Sequence, residues 1–209
     1  MASKAGADFL GLNFVPNRRR RLSAEAALEV VETLKAEVSH PPKVVGLFAD
    51  QPLEEVNNLI KRCPLDMVQL CGGESLDYCR GVKAPVIKVV HVPEGSHTRG
   101  ALDDLYLRVE SFANQGHLVT LDRLVKGLQG GTGATFDWQV AAELSKKEQR
   151  FFLAGGLTPD NLAQAISVAN PWGVDVSSGV ETDGVKDPDK VRQFVAQARR
   201  TTPVSGGLI

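Results

Sequence analysis

The sequence predicts an α/β fold, a TIM (β/α)8-type barrel with seven strands because the first strand of the barrel is absent. Apolar runs recur along the chain, with helix-like segments between them. The runs are continuous stretches of Val, Leu, Ile and Phe, which is typical of parallel strands covered on both faces. Seven strand–helix units without a recognisable edge strand are what a barrel would keep after losing one unit. An open doubly wound sheet is the competing fold, because periodicity alone does not exclude it.

The predicted elements alternate along the whole chain. Strands are predicted at residues 8–14, 43–49, 67–71, 86–92, 117–122, 151–154 and 174–176. Helices are predicted at residues 23–38, 52–63, 101–112, 137–147 and 188–200, with a short one from Glu74 and another opened by Thr158, Pro159 and Asp160. Residues 1–7 are small and resemble the last turn of a helix that stops at Gly6. We therefore expect a strand and most of a helix, roughly twenty residues, before this sequence.

The length and net charge of the chain limit the classes of protein to which it can belong. The 209 residues fit one barrel domain, predicted at residues 1–200 with a tail at 201–209. A net charge of −1, from 24 basic and 25 acidic residues, gives no electrostatic case for nucleic acid or an anionic membrane as partner. No apolar run approaches the ~20 residues of a membrane span. The three cysteines have neither a CxxC pattern nor a nearby histidine, so we expect no metal site, no disulfide framework and a reducing, cytoplasmic setting.

Two turns of small residues follow neighbouring predicted strands near the end of the chain. Gly155 and Gly156 follow the strand at 151–154, and Ser177, Ser178 and Gly179 follow the strand at 174–176. Glycine lets backbone N–H groups approach a ligand closely, and two such turns at the same ends of adjacent strands could close around one phosphate. The alternative is that both are only tight turns between strand and helix.

The carboxyl ends of barrel strands carry the functional groups of this fold, so polar residues at those positions are the candidates. They are Asn13 with the arginines that follow it, Asp50, Gln69, Cys71, His91, Asp122 and Asp175. Asp122 ends an apolar strand, where partial removal from water would raise its pKa toward that of a general acid. A solvated loop carboxylate is the alternative. The glycine-rich residues 130–133 suit backbone contact with phosphate or a mobile lid, and an arginine among residues 18–21 could pair with an anionic ligand group.

Taken together, these segments resemble phosphoribosylanthranilate isomerase, the barrel enzyme family of tryptophan biosynthesis. The resemblance covers nearly the whole chain. It is carried by the segments AGADFLGLNFVPNRRRRLS, VVGLFAD, VQLCG, TLDRLVKGLQGGTGATFDW, LAGGLTPDNLAQAI and GVDVSSGVETDGVKD. The last three are specific to this family.

The resemblance implies an Amadori rearrangement of N-(5-phosphoribosyl)anthranilate to 1-(2-carboxyphenylamino)-1-deoxyribulose 5-phosphate, without a metal or organic cofactor. It implies that Asp122 is the general acid and that Arg20 meets the anthranilate carboxylate. It places Asp175 in the pocket near the amine or the ribose hydroxyls. The same family pattern implies a phosphate site formed by Gly155, Gly156, Ser178 and Gly179.

Two departures from the family pattern affect the expected activity. The family's general base is a cysteine on an opening strand close to KICG, which this sequence lacks, so we expect impaired activity in this form. Cys71 stands where the family has a histidine, and we expect it to be a buried small side chain. The alternatives are a non-catalytic phosphate-binding or assembly remnant of a barrel, which could form homo-oligomers through exposed strand edges, and an isomerase that also accepts a histidine-pathway aminoaldose.

Overall fold

The computed structural model describes residues 1–93, 96, 98–123 and 137–201. The glycine-rich residues 130–133 and the predicted tail beyond residue 201 lie outside this range. The chain divides into two compact units. We call Gly6–Lys88 the N-terminal unit, and the residues from Val89 onward together with Met1–Ala5 the C-terminal unit. That residues 1–200 form a single domain stays a prediction.

Seven strands follow one another in the sheet in the order of the chain. They are β1 (Phe9–Asn13), β2 (Lys43–Phe48), β3 (Met67–Leu70), β4 (Val86–Val92), β5 (Leu118–Arg123), β6 (Phe152–Leu153) and β7 (Gly173–Val174). Parallel registers join β1 to β2, β2 to β3 and β3 to β4, and likewise β5 to β6 and β6 to β7. A doubly wound sheet reverses its strand order at a switch point, so this sequential order contradicts the competing fold.

Helices separate the strands, and several of them begin after a side-chain cap. The helices are α1 (Ala2–Ala5), α2 (Ala24–Glu37), α3 (Leu53–Arg62), α4 (Leu76–Gly81), α5 (Arg99–Ala113), α6 (Trp138–Lys146), α7 (Leu162–Ala169) and α8 (Pro188–Thr201). The side chains of Ser23, Ser75, Thr98 and Asp137 accept hydrogen bonds from backbone N–H groups in the first turns of α2, α4, α5 and α6. Gly6 follows α1 with φ +89°, which confirms it as the stop of that helix.

The structure differs from the sequence prediction in two places. Residues 158–161 form a turn and α7 begins only at Leu162, although Thr158 still accepts the N–H of Leu162 at 3.1 Å through its carbonyl. The second difference is a hairpin that was not predicted, formed by β8 (Glu181–Thr182) and β9 (Val185–Lys186). Its two-residue turn is Asp183 and Gly184, both with positive φ, which is the strongest short-range hairpin signal in a sequence.

The apolar core of the C-terminal unit lies between one face of its strands and helices α5 to α8. The core-facing strand residues are Val90, Val92, Val119, Leu121, Phe151 and Leu153, with Val174 and Val176 packed against the same cluster. Because successive side chains of a strand point to opposite faces, the intervening residues face away from these helices. His91, Asp122 and Asp175 are among them.

The N-terminal unit contains a buried ion pair. The Lys88 ammonium group donates to the Glu74 carboxylate at 2.9 Å and to the carbonyls of Leu70 and Gly72 at 3.1 and 2.6 Å. Glu74 also accepts the N–H groups of Asp50 at 2.9 Å and Gly72 at 3.0 Å. Its bonds therefore tie together the loops that follow β2 and β3.

In the part of the chain that the structure describes, no helix has the length and apolar character needed to cross a bilayer.

Candidate active site

Asp122 is the penultimate residue of β5, at the carboxyl end of that strand. One of its carboxylate oxygens accepts the N–H of Arg123 at 2.8 Å. Burial is the main reason why the pKa of Asp122 lies above its ordinary value. Positive charge on His91 opposes that rise, and the negative charge of Asp175 adds to it. A carboxyl group in this environment keeps its proton at a higher pH than a solvated one does.

The turn at Gly155 and Gly156 lies directly against Asp122. Both glycines have left-handed backbone conformations, with φ of +85° and +70°. A Cβ atom on Gly155 would be 2.9 Å from Oδ1 of Asp122 and 3.0 Å from the nitrogen of Arg123. Glycine is therefore required here both by conformation and by space.

Asn161 holds this turn in shape. Its side-chain amide donates to the carbonyl of Gly156 at 3.0 Å, and its side-chain oxygen accepts the N–H of Thr158 at 2.8 Å. The Thr158 hydroxyl in turn accepts the N–H of Asn161 at 3.3 Å. Asn161 was not among the residues predicted from the sequence. The available signal was a Thr and an Asn three residues apart, whose side chains can bond each other's backbone.

The second predicted anion turn packs on the residues that follow the first. Ser178–Val180 form a short 3-10 helix, and a Cβ atom on Gly179 would lie 1.7 Å from the carbonyl oxygen of Leu157. No side chain fits at that distance. The two turns are therefore neighbours in space as well as the ends of neighbouring strands.

Two lysines from the hairpin and α8 bond the backbone around the second turn. Lys186, in β9, donates to the carbonyl of Ser177 at 2.6 Å and pairs with the carboxylate of Glu181 at 3.2 Å. Lys190 donates to the carbonyl of Glu181 at 2.8 Å. The lysine at 186 was not identified from the sequence, because its contact depends on the hairpin.

The structure brings most of the predicted site residues together in the C-terminal unit. Asp122 packs against the glycine turn. The negative charge of Asp175 raises the pKa of Asp122, and the two side chains lie on the same face of the sheet. The residues concerned are Asp122, Asp175, Gly155, Gly156, Ser178 and Gly179. Arg20 belongs to the N-terminal unit, where it is half-buried in the loop between β1 and α2. The functional roles of all seven residues stay predictions.

Two strand-end residues of the N-terminal unit have structural contacts. Asp50 accepts the N–H of Gly73 at 2.6 Å and has φ +57°. Cys71 was expected to be buried but is half-buried, with its Sγ 3.8 Å from the side-chain nitrogen of Gln69. It follows β3 directly, and the next residue, Gly72, donates its N–H to the Glu74 carboxylate.

The N-terminal unit also contains an open groove of about 560 Å³ between the start of α2 and one side of α3. Its polar lining is the exposed ion pair of Arg62 and Glu25, together with Arg21, Glu54, Glu55 and Asn58. It has the volume of a ligand site, but neither Asp122 nor the two glycine turns line it, so we assign the chemistry to the Asp122 region. Among the described residues, no three His, Cys, Asp or Glu side chains are arranged to hold a metal ion.

Known proteins resemble this chain over nearly its full length. The family model described as N-(5'-phosphoribosyl)anthranilate (PRA) isomerase matches residues 1–197. The N-(5'-phosphoribosyl)anthranilate isomerase of Dehalococcoides mccartyi is 42% identical over 197 residues, which are 94% of this chain and 88% of the relative.

Solved structures agree with this match. One describes monomers of the dimeric phosphoribosylanthranilate isomerase from Thermotoga maritima, with a TM-score of 0.76 and 28% identity over 95% of this chain and 91% of that one. Another is a phosphoribosylanthranilate isomerase in complex with reduced 1-(o-carboxyphenylamino)-1-deoxyribulose 5-phosphate, with a TM-score of 0.75 and 29% identity over the same shares. The fold is therefore of the TIM-barrel type, with seven strands in the parallel sheet of the described residues, and the chain belongs to the phosphoribosylanthranilate isomerase family.

Proposed function

We propose that this chain catalyses the Amadori rearrangement of N-(5'-phosphoribosyl)anthranilate to 1-(2-carboxyphenylamino)-1-deoxyribulose 5-phosphate, a step of tryptophan biosynthesis. Family membership supports the reaction, and one structural observation carries its chemistry. Asp122 is a carboxyl group whose pKa is raised by burial at the carboxyl end of a strand, and it lies beside a glycine turn suited to an anion. The family relatives do not favour the alternative of a non-catalytic remnant.

In the proposed reaction, Asp122 donates its proton to the ring oxygen of the ribose. The bond between that oxygen and C1 breaks while the nitrogen lone pair forms a C1=N double bond. A base, which the family pattern places on the opening strand, then takes the C2 proton and gives an enolamine. The ketone forms when C1 gains a proton and the C2 hydroxyl loses its own. A carboxyl group with a raised pKa suits the first step because it is more often protonated near neutral pH.

We assign the phosphate group of the substrate to the two turns. Left-handed glycines at 155 and 156 and the start of the 3-10 helix at Ser178 present backbone N–H groups without side-chain obstruction. TIM-barrel enzymes frequently bind phosphate at the loops after their last strands and at a short extra helix. The close contacts at Gly155 and Gly179 support this assignment, since they place the first turn against Asp122 and the second turn against Leu157.

The remaining two roles concern the anthranilate end of the substrate. We propose that Arg20 pairs with its carboxylate, because a guanidinium group matches a carboxylate with two parallel hydrogen bonds. We propose that Asp175 meets the amine or the ribose hydroxyls. Its backbone N–H is held by the carbonyl of Leu153 at 2.9 Å, so the strand register determines where its carboxylate lies.

Product formation and ligand binding, measured side by side, test the proposal. The chain is incubated with freshly made N-(5'-phosphoribosyl)anthranilate, and the product is detected by chromatography. Calorimetry measures the binding of reduced 1-(o-carboxyphenylamino)-1-deoxyribulose 5-phosphate, which we call the reduced product. We expect product from the unaltered chain, and Asp122→Asn to lower kcat by about 10²- to 10⁴-fold with binding retained. Arg20→Ala should raise KM, whereas Arg19→Ala, at an exposed neighbouring position, should not.

A second protein separates the alternatives. It carries the opening strand of the family pattern, which reads close to KICG, in front of Met1. Binding without turnover by either protein would favour the non-catalytic phosphate binder, and turnover only by the extended protein would support the expectation that the base lies on that strand. Absence of binding and turnover in both proteins would overturn the proposed function.

We also propose that copies of the chain associate through strand edges, since β1 and β7 are the first and last strands of the sheet order and the Thermotoga maritima relative is described as dimeric. Analytical ultracentrifugation tests this, and a monomer at all concentrations would contradict it.

A cytoplasmic location is proposed because all three cysteines are thiols without a disulfide. Cell fractionation tests that location.

A further inference from the structure

Three titratable side chains share one face of the sheet in the C-terminal unit. His91 is the penultimate residue of β4, Asp122 is the penultimate residue of β5, and Asp175 follows β7. Their strand neighbours Val90, Val92, Val119, Leu121, Val174 and Val176 pack on the opposite face, against the helices. The alternation of strand side chains therefore points all three groups away from the helices. Each lies at the carboxyl end of its strand, where barrel enzymes carry their chemistry.

His91 is adjacent to Asp122 through the sheet order, because β4 and β5 are neighbouring strands. It is half-buried. The other strand beside β5 is β6, whose residues on this face are the buried apolar side chains Phe152 and Ala154. The strand on the far side of β4 is β3, which reads MVQL and has no titratable group. Among the described residues, His91 and Asp175 are thus the titratable side chains that act on the Asp122 carboxyl.

The two act on Asp122 with opposite sign. A protonated imidazole favours the carboxylate form of Asp122, and the Asp175 carboxylate favours its protonated form. A histidine beside an acid that must be protonated again after each turnover can hold that proton, because imidazole gains and loses protons near neutral pH. Asp175 cannot do so while it is ionised.

We propose that His91 is a positioning residue for the acid step, and that its imidazolium returns a proton to the Asp122 carboxylate after Asp122 has protonated the substrate. In this transfer an N–H bond of the imidazolium breaks and an O–H bond forms on Asp122. The charges on both groups disappear and no electrons are transferred. Solvent then protonates the imidazole again. The inference rests on the proposed function, since it assigns the source of the proton for that reaction.

The first experiment does not depend on turnover. The side-chain carboxyl carbon of Asp122 is followed by NMR as a function of pH in the unaltered chain and in His91→Ala, with Asp122→Asn used to assign the signal. We expect the pKa of Asp122 to be higher in His91→Ala, because the opposing positive charge is gone. His40→Ala is the control, since His40 is exposed, bonded to Ser39 and part of the N-terminal unit. An unchanged Asp122 titration in His91→Ala would overturn the inference, whether or not the chain turns over substrate.

The second experiment distinguishes a proton donor from a structural support. We expect kcat of His91→Ala to fall by about 10²-fold, and added imidazole to restore part of the activity in proportion to its protonated fraction. His40→Ala should keep full activity and should not respond to imidazole. A loss of activity that imidazole does not reverse, or the absence of any loss, would contradict the proton transfer. Turnover by the unaltered chain in the same assay reports on the proposed function separately.

Discussion

Gly155 lies so close to Asp122 that a Cβ atom on the glycine would be 2.9 Å from Oδ1 of the carboxyl group. The same residue has φ +85°, a conformation that side-chain-bearing residues adopt only with strain. Glycine is therefore needed at this position for two reasons: the backbone has a positive φ, and the Asp122 carboxyl group leaves no space for a side chain.

We expect Gly155→Ala to lower the free energy of unfolding by about 1–3 kcal/mol, from strain at the positive φ. It should also lower kcat, because the new methyl group displaces the Asp122 carboxyl. Urea denaturation and steady-state kinetics measure the two effects. Gly100→Ala is the matched control: Gly100 lies in α5 with no atom within 4 Å of its virtual Cβ, so alanine should stabilise the helix by up to about 1 kcal/mol. Equal behaviour of both variants would contradict the crowding at Gly155.

The raised pKa of Asp122 has a consequence for stability. Its folded-state pKa lies above the ordinary value of 3.8, so the folded state holds the proton more tightly than the unfolded state does. Asp122 therefore lowers the free energy of unfolding as pH rises from its ordinary value through its folded value. We expect Asp122→Asn to have a higher Tm than the unaltered chain near neutral pH and a similar Tm below pH ~3.8.

Asp187 provides the opposite case for the same scan. The hydroxyl of Thr182 and the N–H groups of Lys190 and Asp189 hold the pKa of Asp187 below its ordinary value, and its stabilising effect disappears as pH falls through the lowered value. Asp187→Asn should therefore lower Tm near neutral pH. Calorimetry of both variants from acid to neutral pH measures the difference. Parallel Tm curves for Asp122→Asn and the unaltered chain would contradict the raised pKa.

Gly179 determines how closely the two turns approach each other. A Cβ atom there would overlap the carbonyl oxygen of Leu157 at 1.7 Å, so Gly179→Ala must push the turns apart. We expect at least a tenfold weaker affinity for the reduced product, equivalent to about 1.4 kcal/mol. The affinity for inorganic phosphate should fall in parallel if the turns bind the phosphate group. Calorimetry measures both, and unchanged affinities would mean that the phosphate binds elsewhere.

The buried pair of Lys88 and Glu74 allows a double-mutant test. Their side chains are only 4% and 2% exposed, so Lys88→Met leaves a buried carboxylate without its cation and should cost about 3–5 kcal/mol. Adding Glu74→Gln should recover part of that loss. Removing the exposed ion pair of Lys146 and Glu143 by Lys146→Ala should lower the free energy of unfolding by less than about 1 kcal/mol. Chemical denaturation compares them; equal losses for the two pairs would show that burial does not determine their contributions.

The positions of the strands, most helices and the glycine turns could be predicted from the sequence because each depends on residues near in the chain. An apolar run marks β2 and β4 wherever they lie, and Ser23 caps α2 through a bond to Ala26 at 3.2 Å. The hairpin at Asp183 and Gly184 was equally local and could have been predicted. The start of α7 was also decided locally, because Asn161 bonds to Thr158 and Gly156 and so delays the helix to Leu162.

What the sequence by itself determined is the class of fold, the family and the short list of polar residues at strand ends. Only the tertiary structure decided which of those residues meet. Burial beside Gly155 raises the pKa of Asp122, while Asp50, from the same list, is bonded to the N–H of Gly73. The burial of Asp122 and its electrostatic coupling to His91 and Asp175 depend on residues that are distant in the chain. A sequence pattern does not contain the spatial distances between such residues.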